Sequence, residues 1–330
     1  MNRLAHLLPH LSDPAKTAPT RPRYFRIDGE KPLARAPIVK WAGGKSQLLP
    51  VIDRHYPQAL RDGKISTYIE PFVGGAAVFF DVRRRFAIKK AHLFDSNPEI
   101  RVLYTSIRDD IEGVIRELKV MENSYLCQQE EGRKAYYYDI REKYNDEVAT
   151  ARLDPVNAVR AAQTLFINRT CFNGLYRVNS RGRFNVPMGR YAKPRILHEE
   201  RTRLASAALQ VAEIHLADFT EAEQFASGPD TFVYYDPPYR PINSTSYFTS
   251  YSTEVFSDDE QRRVQATYAR LNERGVLQML SNSDPTNHGE DKFFDTLYSG
   301  FNIHRVEASR RINATPGKRG AVRELLITNY

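Results

Sequence analysis

The sequence predicts an α/β fold: a mostly parallel sheet covered by helices, ending in an antiparallel C-terminal hairpin and interrupted by a helical insertion. Three observations predict it. Short apolar strand-like runs alternate with apolar-periodic helical runs on both sides of the chain's middle. The middle itself breaks that rhythm with charged, helical writing. The last two strand-like runs are separated by a basic loop that contains glycine, as antiparallel neighbours at a sheet edge would be.

In chain order, residues 1–36 carry Pro9, Pro14, Pro19, Pro22 and Pro32 without periodic apolar positions, which reads as a flexible N-terminal arm. Folded structure is expected from about Pro37. A strand is predicted over Thr67 to Glu70, a helix over Ala76 to Phe86, a second strand over Ala91 to Phe94 and a helix over Pro98 to Ile107. Residues 109–190, with the tyrosine run Tyr136-Tyr137-Tyr138 and a loop-like stretch holding Gly174, Gly182 and Gly189, read as a separate, mostly helical lobe. Strand writing resumes at Val211 to Leu216 and Phe232 to Tyr235, followed by a helix from Asp258 to Arg274 and a strand from Val276 to Leu280. The final strands are Phe301 to Val306 and Val322 to Thr328. Residues 37–108 and 191–330 thus form one sheet domain, split by the lobe.

Composition narrows the class. A chain of 330 residues with 41% hydrophobic content can bury one large core. Its longest apolar runs are too short to cross a bilayer, and its mean hydropathy of −0.55 agrees, so no membrane partner is expected. Met1 to Leu11 lacks the sustained apolar core of a secretory signal, which points to the cytoplasm. Cys127 and Cys171 make no CxxC pair, and the eight histidines show no HExxH or Cys/His spacing, so neither a disulfide framework nor a metal is expected. A net charge of +8 favours a polyanionic partner, because a lysine or arginine placed on a phosphate releases condensed counterions.

Four constellations carry chemistry. In Glu70-Pro71-Phe72-Val73-Gly74-Gly75-Ala76 a strand runs through glycines into a helix, where backbone can approach a ligand closely; a tight structural turn is the alternative. Asp95 ends the next strand about 20 residues beyond the glycines, where an acid accepts hydrogen bonds from ribose hydroxyls in nucleotide-type sheets. It could instead cap the helix at Pro98, a role open also to Asn97. Asp236-Pro237-Pro238-Tyr239 follows the strand Phe232 to Tyr235; the Pro237 carbonyl has no local competing donor, because Pro238 lacks an N–H. An acid and a free carbonyl side by side suit an amino group. Lys40-Trp41-Ala42-Gly43-Gly44-Lys45-Ser46 contains Gly-Lys-Ser, but the phosphate-binding loop needs a glycine where Val39 stands. Trp41 could stack on a planar ring while Lys45 approaches a carboxylate, or it could be a core tryptophan.

Together with Asn168-Arg169, Phe172-Asn173-Gly174-Leu175 and Arg181-Gly182-Arg183-Phe184-Asn185-Val186-Pro187, these motifs closely resemble the Dam-type DNA adenine methyltransferases, in order over residues 38–330. The resemblance implies a Rossmann-like sheet that binds S-adenosylmethionine, with residues 109–190 as the target-recognition lobe on double-stranded DNA. It implies that Trp41, Lys45, Phe72, Gly74, Asp95, Asp218 and Asp236 line the cofactor site, with Asp236 bridging cofactor and base. Lys40 and Arg177 then resemble the readers of the two guanines of GATC, and Phe172 the aromatic that intercalates where the adenine leaves. Asn173, Leu175 and Pro187 lie beside it on the DNA. Better-known members often carry tyrosine at the Phe172 position and a small residue at the Tyr176 position.

The chemistry this implies is electrostatic. Adenine's amino lone pair is delocalised into the ring; hydrogen bonds to Asp236 and the Pro237 carbonyl would localise it as the nitrogen becomes tetrahedral, with Tyr239 the face on which the everted base stacks. Rival readings are amino methylation of cytosine or of RNA adenine on the same fold, methylation of a glutamine side chain, and a basic DNA-binding protein without catalysis.

Overall fold

The computed structural model describes residues 37–146, 154–240, 256–308 and 322–330. The proline-rich arm of residues 1–36 and the basic loop 310–319 lie outside the described residues.

Among the described residues, seven strands form one sheet in the order β3-β2-β1-β4-β5-β7-β6. They are β1 (Thr67–Glu70), β2 (Lys90–Asp95), β3 (Ala212–Leu216), β4 (Thr231–Tyr235), β5 (Leu277–Ser283), β6 (Asn302–Ala308) and β7 (Val322–Thr328). The first five are mutually parallel, while β7 runs antiparallel to both β5 and β6, which gives the expected C-terminal hairpin at one edge. The fold class is therefore the expected one, α/β with a mostly parallel sheet. The strand order reverses between β1 and β4, and in open sheets of this type the crevice outside the carboxyl ends at that point is where ligands bind.

Alternation along β4 shows how the sheet is held. Phe232 and Tyr234 join one core cluster and Val233 and Tyr235 the other, and all four are fully buried, so both faces of the strand are covered. On the first face lie α3 (Ala77–Arg85), α4 (Pro98–Asp109) and α8 (Glu199–Leu209). On the second lies α9 (Asp258–Glu273), packed through Val264, Tyr268 and Leu271, and beyond it α10 (Phe293–Leu297).

Some boundaries differ from the sequence reading, each for a local reason. The helix expected from Ala76 starts at Ala77, because Ala76 adopts a left-handed φ of 56°. The strand expected to stop at Leu280 continues through Ser281-Asn282-Ser283, since β7 pairs with that stretch and its polar side chains are hydrogen-bonded. Two short helices, α1 (Leu49–Arg54) and α2 (Gln58–Arg61), precede the sheet and were not expected.

The insertion contains α5 (Ile111–Leu126), α6 (Glu130–Asp146) and α7 (Ala158–Thr170). Of these helices, α5 and α7 pack on α4, α5 also packs on α8, α6 packs on α5 and α7, and α7 buries Ala161, Ala162, Leu165, Phe166 and Ile167 in the first core cluster. Arg160, on α7, is fully buried: its guanidinium donates to Glu99 of α4, with Nε–Oε2 at 2.9 Å, and lies 3.5 Å from the centre of the Tyr144 ring of α6. Removing one partner of such a buried pair leaves an uncompensated charge, a cost of about 3–5 kcal/mol. Both cysteines are free, and among the described residues no helix is long and apolar enough to cross a membrane.

Candidate active site

The carboxyl ends of β1, β2 and β4 converge on one crevice. After Glu70 the chain turns through Gly74, whose φ of +40° disfavours any side chain; a Cβ there would stand 2.8 Å from Cδ1 of Trp41. The turn is tied to β2 by the Val73 amide donating to the Phe94 carbonyl at 2.9 Å and the Gly74 amide donating to Asp95 Oδ2 at 2.9 Å. The other carboxylate oxygen of Asp95 accepts from the Asn97 amide at 2.9 Å. Asn97 is the residue that caps α4, accepting from the Glu99 amide, so Asp95 is not the cap of that helix. Burial pushes the Asp95 carboxyl up to about 6, against the pull of those two amide donors.

Glu70, to which sequence reasoning gave no role, is buried with its Oε2 accepting from the Tyr68 hydroxyl at 2.7 Å and the Phe79 amide at 3.1 Å. Burial raises its carboxyl well above the usual range, and the negative charges of Asp236 and Asp95 raise it further. The three carboxyl groups therefore feel one another's charge, which the Lys45 ammonium at Asp236 offsets in part.

Asp236, just beyond β4, is held by Lys45 Nζ at 2.7 Å and by the Ser281 hydroxyl of β5 at 3.1 Å. Ser281 in turn shares a 2.8 Å hydrogen bond with the Tyr234 hydroxyl. Lys45 is only 4% exposed and also donates to the Gly43 carbonyl at 2.7 Å, so the KWAGGK loop brings a buried cation to the carboxylate. Burial raises the Asp236 carboxyl and Lys45 opposes that rise; burial lowers Lys45, but Asp236, Tyr234 and Glu324 together hold it above its ordinary value. The pair is an ammonium–carboxylate bridge whose carboxylate is fixed in direction.

The rest of the DPPY turn is also braced. The Pro238 carbonyl accepts from Gln261 of α9 at 3.0 Å, and Asn282 of β5 donates to Gln261 Oε1 at 3.2 Å. The Tyr239 hydroxyl donates to Glu324 of β7 at 2.8 Å, and Lys45 Nζ lies 4.7 Å from the centre of the Tyr239 ring. Ser281, Gln261 and Glu324 escaped the sequence reading. They sit in ordinary strand and helix writing, and only the sheet order brings them under the turn.

Other expected cofactor-site residues divide into two groups. Trp41 stacks on Tyr176 with centroids 4.5 Å apart and rests its edge on Gly74 and Gly75, so it joins the glycine turn. Tyr176 itself is buried and hydrogen-bonded to Tyr144 at 3.2 Å, which accounts for a large residue at that position: it fills the space beneath the tryptophan. Phe72 stacks on Phe219 at 5.1 Å, beside the turn that begins at Asp218. Asp218 accepts from the Thr220 amide and hydroxyl at 3.0 and 2.6 Å and from Arg263 at 3.0 Å. Burial raises its carboxyl, but these donors outweigh it and hold the group below the ordinary range.

The expected DNA-facing residues lie on a turn and a β-bridged loop next to the KWAGGK segment. Asn168 of α7 joins them: it accepts from the Lys40 amide at 2.9 Å and donates to the Lys40 and Gly174 carbonyls at 2.9 and 3.2 Å. Lys40 Nζ reaches the Asn173 carbonyl at 3.4 Å, and Gly174, at φ +64°, leaves room for the lysine stem. Phe172 projects with 54% of its surface exposed, while its amide donates to the carbonyl of exposed Pro187 at 2.8 Å. Leu175 is half-buried behind it. Arg177 is exposed on the loop closed by the Val178–Phe184 bridge, its Nε 2.8 Å from Asn185 Oδ1. Lys40 and Asn173 are brought into contact; Arg177 contacts neither.

Comparison with known proteins gives a consistent result. The family model described as D12 class N6 adenine-specific DNA methyltransferase matches residues 41–312. Among curated relatives, the Type II methyltransferase M.MjaIII of Methanocaldococcus jannaschii is 42% identical over 89% of this chain and 99% of its own length. The Type II methyltransferase M1.LlaDCHI of Lactococcus lactis subsp. cremoris is 39% identical over 89% and 95%, and the DNA adenine methylase of Escherichia coli K12 is 34% identical over 88% and 93%.

Proposed function

Because the chain belongs to the D12 class of N6 adenine-specific DNA methyltransferases, we propose that it takes the methyl group from S-adenosylmethionine and delivers it to an adenine everted from duplex DNA, within GATC. The observation that carries this reading is Asp236, a carboxylate aimed by Lys45 and Ser281 at the strand-order switch, beside the glycine turn and Asp95.

The residues present fit the cofactor. S-adenosylmethionine supplies an activated methyl on a positively charged sulfur, and the crevice supplies the three carboxyl groups of Glu70, Asp95 and Asp236 that a cation relieves. Asp95 keeps a free lone pair on each oxygen after accepting its two amides, so it can still accept from vicinal ribose hydroxyls. Gly74 lets the backbone come close, Phe72 forms an apolar wall, and Trp41, Lys45 and Asp218 complete the lining.

Catalysis is then alignment and electrostatics. Asp236 and the Pro237 carbonyl each accept one N–H of the adenine amino group, stabilising positive charge as it develops on nitrogen; removing one such preorganised partner typically costs on the order of 10²–10³ in rate. Because Lys45 and Ser281 already hold the carboxylate, little reorganisation accompanies the reaction. Tyr239, tethered to Glu324, offers the stacking face for the everted base.

On the DNA side, residues 37–108 and 191–330 form the catalytic domain and 109–190 the recognition lobe. Lys40 and Arg177 read the guanines, and exposed Phe172 wedges into the space the adenine vacates, with Asn173, Leu175 and Pro187 at its flanks. The reaction belongs to the cytoplasm, where duplex and cofactor meet. Incubation with methyl-labelled cofactor and duplexes with or without GATC tests the site: label confined to GATC duplexes is expected, and label at an unrelated motif refutes it. 2-Aminopurine in place of the adenine tests eversion, with brightening on binding expected and unchanged emission contradicting it.

A further inference from the structure

We propose that His92, Glu213 and His215 form a binding site for one divalent transition-metal ion of the zinc type, at the β2–β3 edge of the sheet. The sequence offers no metal motif, since 120 residues lie between His92 and the Glu-x-His pair. Strand pairing brings them together. His92 lies opposite Glu213 in the parallel register, and His215 is two residues further along β3, so all three side chains share one face.

Their donor atoms converge. His92 Nδ1 and His215 Nε2 are 3.1 Å apart, and Glu213 Oε2 is 3.6 Å from the first and 4.0 Å from the second. A tetrahedral ion with bonds of about 2.0–2.1 Å sets its ligands roughly 3.3–3.4 Å apart, so the triangle is close to a three-ligand site with a fourth position left for water. Two imidazoles and one carboxylate are the donor set that suits zinc and its neighbours rather than calcium or magnesium. Among the described residues this is the one group of three such side chains close enough to share an ion.

The rings are held in place. Phe225 packs on His92 with centroids 4.1 Å apart, and Phe94 stacks on His215 at 4.4 Å. A simple hydrogen bond between the two histidines would explain their contact but not the carboxylate beside both. One group opposes the ion: Lys90 Nζ lies 3.1 Å from Glu213 Oε1. Its side chain is 53% exposed and can swing into solvent, so lysine and metal compete for the same carboxylate. Bound metal would cross-link the outermost strand, β3, to β2, which ends three residues later at Asp95.

The test uses the full chain, freed of metal with a chelator, titrated with cobalt(II) by visible absorption and with zinc by calorimetry and thermal unfolding. One equivalent, tetrahedral cobalt bands and a higher Tm with zinc are expected. Glu213→Gln, at a half-exposed position, is expected to weaken zinc binding by roughly tenfold or more. Lys90→Ala is expected to tighten it, an effect that a merely structural histidine pair would not produce. Methyl transfer by both variants without added metal checks that they are folded. Absence of stoichiometric binding overturns the proposal, as does wild-type affinity in Glu213→Gln, which would assign the ion to another place such as the His55–His304 pair.

Discussion

Asp95 gives the sharpest pH-dependent prediction. Burial lifts its carboxyl to about 6, so the ionised form that accepts ribose hydroxyls is lost as the pH falls through that value. If binding needs the carboxylate, the apparent Kd for cofactor scales inversely with the ionised fraction, and affinity falls roughly tenfold between pH 8 and pH 5, or about 1.4 kcal/mol. The assay is built in: Trp41 is the chain's only tryptophan and rests on the glycine turn, so its fluorescence reports occupancy. Titration with S-adenosylmethionine across this pH range should show the fall in wild type, whereas Asp95→Asn should bind weakly and almost independently of pH. The sign for stability is opposite. A carboxyl raised on folding stabilises the apo protein below its unfolded pKa of about 3.9, and this is lost as the pH rises towards 6. The loss is at most about 3 kcal/mol, and less for the solvent that reaches this half-buried side chain. Equal cofactor affinity at pH 5 and pH 8, or the same fall in Asp95→Asn, would refute the reasoning.

Three further outcomes are expected. Gly74→Ala meets both a positive φ and Trp41 Cδ1 at 2.8 Å, so it should lower the urea midpoint by the equivalent of about 1–3 kcal/mol and weaken cofactor binding. Arg160→Ala should destabilise by about 3–5 kcal/mol in urea unfolding, with much of the loss recovered when Glu99 is also replaced by leucine. Tyr239→Ala should reduce kcat/KM by the stacking worth of one base, about 1–3 kcal/mol, whereas Tyr239→Phe, which keeps the ring and loses the hydroxyl tethered to Glu324, should lose less; steady-state kinetics on duplex DNA separates the two.

The strands and the two turns at their ends were legible because their signals are local. A continuous apolar-aromatic run marks β4, glycines mark the turn after β1, and an acid followed by two prolines marks the end of β4. The α1 and α2 helices were not legible, since runs of four to six residues are too short to show helical periodicity. The polar end of β5 reads as a loop until β7 pairs with it and Asp236 and Gln261 satisfy its side chains. The bridge from Lys45 to Asp236 and the brace from Glu324 to Tyr239 join residues far apart in the chain, and spacing alone carries no trace of them. Tyr176 is similar. As a sequence feature it is a departure from the family's small residue, and only its stacking on Trp41 gives it a reason.

In the proposed mechanism, the fixed carboxylate at the end of β4 holds the amino group being methylated. Single-turnover transfer of labelled methyl by Asp236→Ala, with cofactor and duplex both saturating, measures it most directly. Transfer is expected to fall by on the order of 10²–10³ or more while duplex binding persists. Transfer at the wild-type rate in that variant would contradict it.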